Sequence, residues 1–425
     1  MSTYDYHQKI LPLRKQAEIR NEWLKYRLDH VLPELMKREG FDMWLVIARE
    51  YNEDPVIMTL LPEPQMSARR RTILVFYRRP DGTVERLTVS RYDIPGFYES
   101  AWNPDTEPDQ YDALARVITE RNPQHIGINI SDNFAFADGL THSQHTYLFA
   151  LDKDGDLRHR MKSAVRLCVG WLETRIPTEL LVYPSIVEIG HAIIAEAFST
   201  KVITPSITTT DDVVWWMREK MQELGLKAWF HPTVEIQAHG EGFNAINVKD
   251  GGRKVIMPGD LLHCDIGFYY LGLASDQQQH AYVLKVGEKD APQGLKDALA
   301  EGNRLQDILM HNLRIGQTGN DILADTLAHA KAEGITPCVY SHPIGYHGHA
   351  AGPTIGLWDN QHRVVGTGDY EVNDNTAYSI ELNIIKRVPE WGGQEVRIML
   401  EEDAVLQDGV MRWLHGRQTA FHLIG

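Results

Sequence analysis

The chain has 425 residues, of which 43% are hydrophobic and 24% charged, and its formal net charge is −15 at pH 7. This composition is typical of an ordinary globular chain with material for two or three domains of about 150 residues each. The negative charge argues against nucleic acid and membrane surfaces as partners, because both attract basic faces. The 3 cysteines lack the spacing of a disulfide framework. The cysteine pattern and the polar N-terminus predict a cytoplasmic protein. The lack of a run of about 18 apolar residues predicts no membrane span.

The first third of the chain alternates helical and strand patterns. Apolar residues at helical spacing predict a long amphipathic helix that ends at Gly40. A second helix is predicted at residues 111–121, and short apolar runs bounded by turn residues predict strands at 43–47, 72–77, 85–89 and 125–130. The charged stretch at residues 150–165 is typical of a linker. These patterns predict a small α/β domain over residues 1–160.

Beyond the linker, residues 161–425 are predicted to form a larger domain. Helices are predicted at residues 183–198 and 204–225, and another helical stretch runs from about 295 to 333. Strand patterns dominate the rest of this region from Trp229 onward.

Two carboxylates lie in a predicted β-hairpin over residues 261–276. An apolar run leads to Asp265, a turn with glycine follows, and Asp276 comes eleven residues after Asp265. Buried ionised carboxylates cost several kcal/mol or more unless they have cationic partners. The only Lys or Arg residues between Glu241 and Asp276 are Lys249, Arg253 and Lys254, which lie in a predicted solvated turn. A metal ion is therefore the favoured partner.

Further candidate ligands follow along the chain. His342, His347 and His349 lie within a loop rich in Gly and Pro, and neutral imidazoles are common metal ligands. Glu381 lies inside an apolar strand pattern, and a run of acids, Glu401, Glu402 and Asp403, interrupts a later strand. Each acid taken alone is more commonly an edge-strand charge than a ligand.

This order of residues resembles the metal site of the pita-bread metallopeptidases, the family of methionine aminopeptidase, aminopeptidase P and prolidase. His342, Gly345 and His349 look like that family's His-x-x-Gly loop with a second histidine seven positions after the first. The N-terminal α/β domain is similar to the creatinase-type domain of the aminopeptidase P and prolidase branch. The resemblance implies an α+β protein, with a C-terminal pita-bread (creatinase/aminopeptidase) domain at 161–425 and a smaller α/β domain at 1–160.

The resemblance also implies two divalent metal ions, manganese first and cobalt, zinc or iron as alternatives. The implied ligands, with Asp276 and the last glutamate bridging, are Asp265, Asp276, His342, Glu381 and Glu401. Glu401 is preferred to Glu402 because strand alternation places it on the face of Arg397, but the choice stays open. Hard oxygen ligands with one imidazole suit these metals. Two such metal ions side by side can hold a hydroxide that bridges them.

Roles in catalysis and substrate binding follow from the same resemblance. Glu381 is the expected proton acceptor, and His349 is expected to hold the substrate carbonyl or stabilise the tetrahedral intermediate. The expected substrate-binding residues are His347, His349, Asn247 and Arg397. The implied function is a metal-dependent exopeptidase that hydrolyses Xaa-Pro peptides or dipeptides, acts on small peptides and forms a homodimer.

The substrate shell departs from the family pattern at several positions. Asn247 stands where the family usually has a histidine, Gln277, Gln278 and Gln279 replace a Thr-Arg-Thr-like segment, and Ala350 replaces an acid. These changes keep two alternatives open. One is a hydrolase of a non-peptide C–N or P–O bond on the same fold, and the other is a catalytically silent binding protein.

Overall fold

The computed structural model describes residues 9–152, 155–241 and 254–425. By its internal contacts the described part of the chain divides into two units, Pro12–Ile176 and a larger unit that comprises Pro177–Gly425 and residues 9–11. The domain limits of 1–160 and 161–425 remain predictions from the sequence.

The first unit is a six-stranded sheet with helices. Its helices are α1 (Leu13–Tyr26), α2 (Leu32–Glu39), α3 (Ile57–Leu60), α4 (Gln110–Arg121), α5 (His142–Phe149), α6 (Asp156–Arg160) and α7 (Val165–Glu173), with a π-helical turn at Arg27–Val31 and a 3₁₀ turn at Ala135–Ala137. Its strands are β1 (Met43–Arg49), β2 (Arg71–Arg78), β3 (Val84–Thr88), β4 (Glu99–Ser100), β5 (Ile126–Ile128) and β6 (Met161–Ser163). The strand order is β4-β3-β2-β1-β5-β6.

The local sequence explains the main elements of this sheet. Strand β1 lies near the centre and is buried at six of its seven residues, which fits its continuous apolar run. Gly40 ends α2 in the left-handed conformation, with φ 74°. Asp109 caps α4 by accepting from the backbone N–H groups of Tyr111 and Asp112. Part of the charged stretch, which the sequence predicts as a linker, forms α6, and β6 after it pairs in parallel with β5 and buries Met161.

The second unit contains the larger share of strands. Its helices are α8 (Pro177–Ala197), α9 (Thr210–Glu223), α10 (Gln293–Asn312) and α11 (Gly319–Ala332), with 3₁₀ turns at Thr367–Asp369 and Pro389–Trp391. Its strands are β7 (Lys227–Ala228), β8 (Thr233–Gln237), β9 (Leu261–Tyr270), β10 (Leu273–Val283), β11 (Pro337–Val339), β12 (His342–Ile344), β13 (Thr376–Ser379), β14 (Leu382–Val388), β15 (Gln394–Leu400), β16 (Asp403–Gln407), β17 (Val410–Trp413) and β18 (His422–Ile424). They form sheets in the orders β18-β10-β9-β7 with β8 on β9, β11-β14-β15, and β12-β13-β16-β17.

The predicted hairpin is β9 and β10, joined by a tight turn. Leu271 and Gly272 have positive φ values of 54° and 81°, as the two central residues of a type I′ turn require. In the resulting register Asp265 faces Gln278, and Asp276 faces Gly267. An isolated bridge between Gln278 and Glu401 then ties β10 to the junction of β15 and β16. The hairpin is therefore joined to the strands that bear the later acids.

The helix α8 begins six residues earlier than the sequence predicts and packs against β10. The hydroxyl of Tyr183 donates to the carbonyl oxygen of Ala274 at 2.7 Å. By length and composition α8 could cross a membrane, but half of its most apolar window is buried inside the molecule. Core helices have the same character, so this helix is weak evidence for a membrane span.

The predicted helical stretch at 295–333 is two helices, α10 and α11. Gly316, with φ 84°, lies in the connection, and Thr318 starts α11 with a capping box that includes Asp321. Gly319 follows at a close backbone approach, where a Cβ atom would lie 2.1 Å from the carbonyl oxygen of Thr354. Ile355, the residue after Thr354, donates its N–H to the carbonyl oxygen of Ser341 at 3.0 Å. Because Gly319 has no side chain, the start of α11 can pack closely on Thr354 and so support Ser341, the residue before His342.

We expect Gly319→Ala to destabilise the protein by about 1–3 kcal/mol, because the added methyl group meets backbone atoms that have no rotamer to change. Urea unfolding followed by tryptophan fluorescence measures this loss. Lys331→Ala is the matched control on the exposed end of the same helix, and it should change the free energy of unfolding by only about 0.5 kcal/mol. Equal stability of wild type and Gly319→Ala would contradict the predicted close packing.

Candidate metal centre

Three side chains from distant parts of the second unit converge in its interior. Ligand atoms of Asp276, His342 and Glu401 all lie within 4.8 Å of one another, and all three residues are buried. His342 Nε2 lies 3.3 Å from Glu401 Oε1 and 3.7 Å from Asp276 Oδ2. The hairpin supplies Asp276, strand β12 begins with His342, and Glu401 follows the end of β15.

The imidazole of His342 is held in one tautomer. Its Nδ1 lies 2.9 Å from the carbonyl oxygen of Pro343, and since a carbonyl oxygen only accepts, Nδ1 carries the proton. The other nitrogen, Nε2, is buried without a hydrogen-bond partner and turns its lone pair toward the acids. A histidine that binds a metal has this arrangement, with one nitrogen on a carbonyl group and the other on the ion.

Glu381 and Asp265 lie beside this group of three. Glu381 connects β13 and β14, and its N–H donates to the hydroxyl of Ser341 at 2.9 Å. Its Oε2 lies 3.8 Å from His342 Nε2. Asp265 belongs to β9, and its Oδ1 atom is buried without a hydrogen-bond partner, as is Oδ1 of Asp276. The structure thus brings all five predicted ligands into one region.

These acids repel one another. Burial, together with nearby carboxylates that include Glu401, raises the pKa of Asp265, Asp276 and Glu381 well above the ordinary range. Burial acts in the same direction on Glu401, whereas hydrogen bonds from Ser379 and Gln278 favour its charged form and act to lower its pKa.

No Lys or Arg nitrogen from the described ranges lies within 4.0 Å of these four carboxylates. A divalent cation would reverse the repulsion between them. The buried atoms without partners, namely Asp265 Oδ1, Asp276 Oδ1 and His342 Nε2, are suitable donors for such an ion. The residues therefore fit a divalent metal.

The two adjacent glutamates point to different places. Glu401 accepts from the hydroxyl of Ser379 at 2.5 Å and faces His342. Glu402 contacts His191 Nε2 and accepts from the side chain of Gln279 at 2.8 Å. The structure therefore places Glu401, and not Glu402, with Asp276 and His342.

His349 lies at the rim of this region. Its ring meets His342 edge-on at a centroid distance of 4.7 Å, and Trp229 edge-on at 5.0 Å. Desolvation and the neighbouring imidazole lower the pKa of His349 to about 4, so its ring is neutral at pH 7. In the same loop, the carbonyl oxygen of His347 accepts from the N–H of Gly345 at 3.1 Å.

The remaining predicted substrate residues are Arg397 and Asn247. Arg397 lies on β15, where its backbone N–H and C=O both bond to the side-chain amide of Gln237, at 2.9 and 2.7 Å. Asn247 lies outside the described residues. Ala350 donates its N–H to the carbonyl oxygen of Pro343 at 3.0 Å and so closes the histidine loop.

The three consecutive glutamines have separate structural roles. Gln277 donates to Asp403 Oδ2 at 3.2 Å, and Gln279 donates to Glu402. Only Gln278 turns toward the candidate ligands, donating to Glu381 Oε1 at 2.5 Å and Glu401 Oε2 at 2.8 Å. Its carbonyl oxygen lies 3.0 Å from Nε2 of His263.

Sequence reasoning missed the role of Gln278 and His263, although a signal was present. Each lies two residues from a predicted ligand, Gln278 after Asp276 and His263 before Asp265. Side chains two residues apart on a strand share a face. The alternation of side chains along a strand therefore predicts that Gln278 and His263 lie on the same face as the neighbouring acids.

His280 is a buried histidine outside the ligand set. Its Nδ1–H donates to the carbonyl oxygen of Leu262, and its Nε2 accepts from the N–H of Met399, both at 3.0 Å. Burial and the neighbouring His263 lower the pKa of His280 to about 3. The ring is therefore neutral and serves as a structural link between β10 and β15.

This link predicts an acid-dependent stability difference. The folded-state pKa of His280 lies below the unfolded value of about 6.5, so the unfolded chain takes up the proton first and stability falls as pH drops from about 6.5 toward 3. We expect His280→Gln to be less stable than wild type at pH 7.5. The gap should narrow toward pH 5 by up to about 1.4 kcal/mol per pH unit.

Urea unfolding of the metal-free proteins at both pH values tests this prediction. His362→Gln, at an exposed position, is the control and should follow wild type. A gap for His280→Gln that stays constant with pH would contradict a buried neutral imidazole at this position.

Comparisons with known proteins bear on the whole chain. The sequence matches metallopeptidase family M24 over residues 185–408. Comparison with curated protein sequences gives no match. Among solved structures the chain is similar to an X-Pro aminopeptidase from Thermotoga maritima, with a TM-score of 0.64 and 16% identity over 92% of this chain and 99% of the other.

Two further solved structures give the same result. A dipeptidase from Pyrococcus horikoshii has a TM-score of 0.61 and 18% identity over 94% of this chain and 100% of the other. An Xaa-Pro dipeptidase from Bacillus anthracis has a TM-score of 0.58 and 17% identity over 96% of this chain and 100% of the other. At these identities the likeness shows the fold alone, and it extends over both units.

The predicted α+β class with a pita-bread domain is confirmed by these findings, as is the prediction of a metallopeptidase. The family match covers more than half of the 425 residues and includes all five candidate ligands. The chain belongs to metallopeptidase family M24.

Proposed function

We propose that this protein is a metal-dependent exopeptidase that hydrolyses Xaa-Pro peptides or dipeptides with two divalent metal ions. The observation that carries the proposal is the buried group of Asp276, His342 and Glu401, whose negative charge has no Lys or Arg partner in the described parts of the chain. Membership of family M24 supports peptide hydrolysis. The X-Pro aminopeptidase and Xaa-Pro dipeptidase among the similar structures support the substrate class.

The proposed ligands are Asp265, Asp276, His342, Glu381 and Glu401. Carboxylate oxygens with one imidazole suit manganese, cobalt, iron or zinc, and manganese is our first choice. When bound, such ions supply Lewis acidity to the scissile carbonyl and a nucleophile at neutral pH.

The protein's own residues would position and move protons. Glu381 would accept the proton of the attacking water as the new C–O bond forms, and would pass it to the leaving nitrogen as the C–N bond breaks. His349, neutral and at the rim of the site, would hold the carbonyl oxygen of the substrate. We include His347, Asn247 and Arg397 as substrate contacts, and a cytoplasmic homodimer as the assembled form.

A substrate panel tests the reaction. Purified protein loaded with manganese or cobalt should release amino acids from Xaa-Pro dipeptides or longer Xaa-Pro peptides. Asp276→Asn should lower turnover by more than the roughly tenfold to hundredfold typical of losing an outer-shell partner, since it removes a direct ligand. Turnover can be followed by chromatography of the released amino acids.

Three outcomes of this panel are distinct. Turnover that Asp276→Asn abolishes supports the proposal. Absence of turnover on every Xaa-Pro substrate would exclude the substrate class, and a parallel panel of non-peptide amides and phosphoesters then tests the alternative hydrolase. Bound metal with no hydrolysis of either panel would favour a silent binding protein.

The two adjacent glutamates offer a test of the ligand set. Glu401→Gln should weaken Mn²⁺ binding by about tenfold or more, because it removes a carboxylate that faces His342. Glu402→Gln is the matched control, since its carboxylate contacts His191 and Gln279 instead. Bound manganese is measured by mass spectrometry after dialysis. Greater metal loss in Glu402→Gln than in Glu401→Gln would reverse the ligand assignment.

A further inference from the structure

Two histidines of the second unit form a pair outside the candidate metal centre. His191 lies on α8, and His415 lies between β17 and β18. Their Nδ1 atoms are 2.9 Å apart. The side chain of His191 is only 17% exposed, whereas His415 is exposed to solvent. The pair therefore joins a largely buried ring to one that ions in solution can reach.

A buried carboxylate holds the ring of His191. Glu402, which is 1% exposed, contacts His191 Nε2 through its Oε2 atom. Its Oε1 atom accepts from the side chain of Gln279 at 2.8 Å and from the N–H of Gln418 at 3.1 Å. Because an ionised carboxylate only accepts, Nε2 of His191 carries a proton, and the lone pair of the neutral ring lies on Nδ1. This lone pair is on the side of the ring that faces His415.

The segment that carries His415 is fixed on both sides of that residue. Before it, the N–H of Leu414 donates to the carbonyl oxygen of Asp403 at 3.0 Å. After it, both ends of the side-chain amide of Gln418 bond to the backbone of β10 at 2.7 Å. Burial and the imidazole of His191 lower the pKa of His415, so its ring is neutral at pH 7. The two rings are thus held close together, and both offer neutral nitrogen atoms.

The separation of these two nitrogen atoms suits a divalent metal ion. Metal–imidazole bonds are about 2.0–2.1 Å long, so two such bonds at a right angle place their nitrogens about 2.8–3.0 Å apart. Right-angled coordination by nitrogen and oxygen is typical of Cu²⁺ and Ni²⁺. A histidine that binds a metal usually donates its other N–H to a carboxylate or a carbonyl group, as His191 does to Glu402.

The charged groups near the pair also favour a cation. Glu188 lies three residues before His191 on α8, and residues at this spacing share a helix face. The carboxylates of Glu188 and Glu402 favour the charged form of His415, while the ammonium group of Lys9 opposes it. Lys9 forms an ion pair with Glu188 and so compensates for one of the two carboxylates. The charge of Glu402 remains available to a metal ion on the other side of the imidazole.

We propose that His191 and His415 form a separate metal site, which binds Cu²⁺ or Ni²⁺ through the two Nδ1 atoms. A small rotation of the exposed His415 ring turns its lone pair toward the ion, and the proton of that ring moves to Nε2. Nitrogen donors distinguish this site from the candidate centre, whose ligands are mainly carboxylate oxygens. The bound ion ties α8 to the segment between β17 and β18. The site does not depend on the proposed peptidase reaction.

Equilibrium dialysis of the full-length protein against Cu²⁺ tests the site, with bound copper measured by mass spectrometry. Wild type should bind one more Cu²⁺ ion per chain than His415→Asn, which replaces an exposed ring. His362→Asn removes another exposed histidine, is the matched control and should bind as much copper as wild type. Electron paramagnetic resonance of the extra ion should show two coordinated nitrogens. Circular dichroism establishes that each variant is folded.

The dialysis is carried out at pH 8 because protons compete with the metal. Burial opposes the charged form of His191, but the carboxylates of Glu402 and Glu188 raise the pKa of this ring. Glu402→Gln removes the carboxylate behind the ring and should weaken binding of the extra ion about tenfold to a hundredfold.

A second comparison separates this site from the candidate metal centre. Asp276→Asn removes a candidate ligand of that centre, while His191 and His415 stay in place. The difference of one Cu²⁺ ion should therefore persist between Asp276→Asn and the double variant Asp276→Asn, His415→Asn. If the difference disappears in this background, the extra ion belongs to the candidate centre and the separate site is overturned.

The remaining outcomes are also distinct. Loss of one Cu²⁺ ion in His415→Asn but not in His362→Asn, with two coordinated nitrogens in wild type, supports the site. Equal copper in wild type and His415→Asn would overturn it, leaving the contact between the two rings as a hydrogen bond only. Equal losses in His415→Asn and His362→Asn would show unspecific binding to exposed histidines and would overturn it too. None of these results bears on peptide hydrolysis, which the substrate panel tests.

Discussion

Repulsion among four carboxylates in the interior of the second unit, two of them fully buried, is the constraint on which its arrangement depends. Asp265 and Asp276 come from one hairpin, while Glu381 and Glu401 come from the ends of strands in other sheets. Holding them together without a cation is unfavourable, and burial raises the pKa of three of the four. The backbone bridge between Gln278 and Glu401 supplies rigidity that opposes this repulsion. The site is thus preorganised for a positive charge.

A layer of polar groups supports the acids from behind. The N–H of Asp276 donates to Asp403 at 3.2 Å, and burial raises the pKa of Asp403 well above its usual range. Gln277 donates to the same carboxyl group, and His280 links the hairpin to β15 as a neutral ring. These hydrogen bonds orient the strands that carry the candidate ligands.

The sequence was sufficient for features that depend on neighbouring residues. The hairpin with its two acids eleven residues apart follows from local apolar and turn patterns, and strand alternation favours Glu401 over Glu402 by placing it on the face of Arg397. It was not sufficient for features set by distant contacts. The charged stretch before β6 is typical of a linker, because nothing in the local sequence indicates that β6 pairs with β5. The contact of Glu402 with His191 joins residues 211 positions apart. Composition cannot encode such pairings.

The departures from the family pattern also change meaning in three dimensions. Gln277, Gln278 and Gln279 suggest from sequence an altered substrate shell, and hence a different reaction. In the structure, two of them belong to the supporting layer, where Gln277 and Gln279 bond to Asp403 and Glu402. Neither amide points toward the acids, so neither change argues against peptide hydrolysis. Within the described residues, Gln278 is the departure whose side chain contacts the candidate ligands, because it donates hydrogen bonds to Glu381 and Glu401.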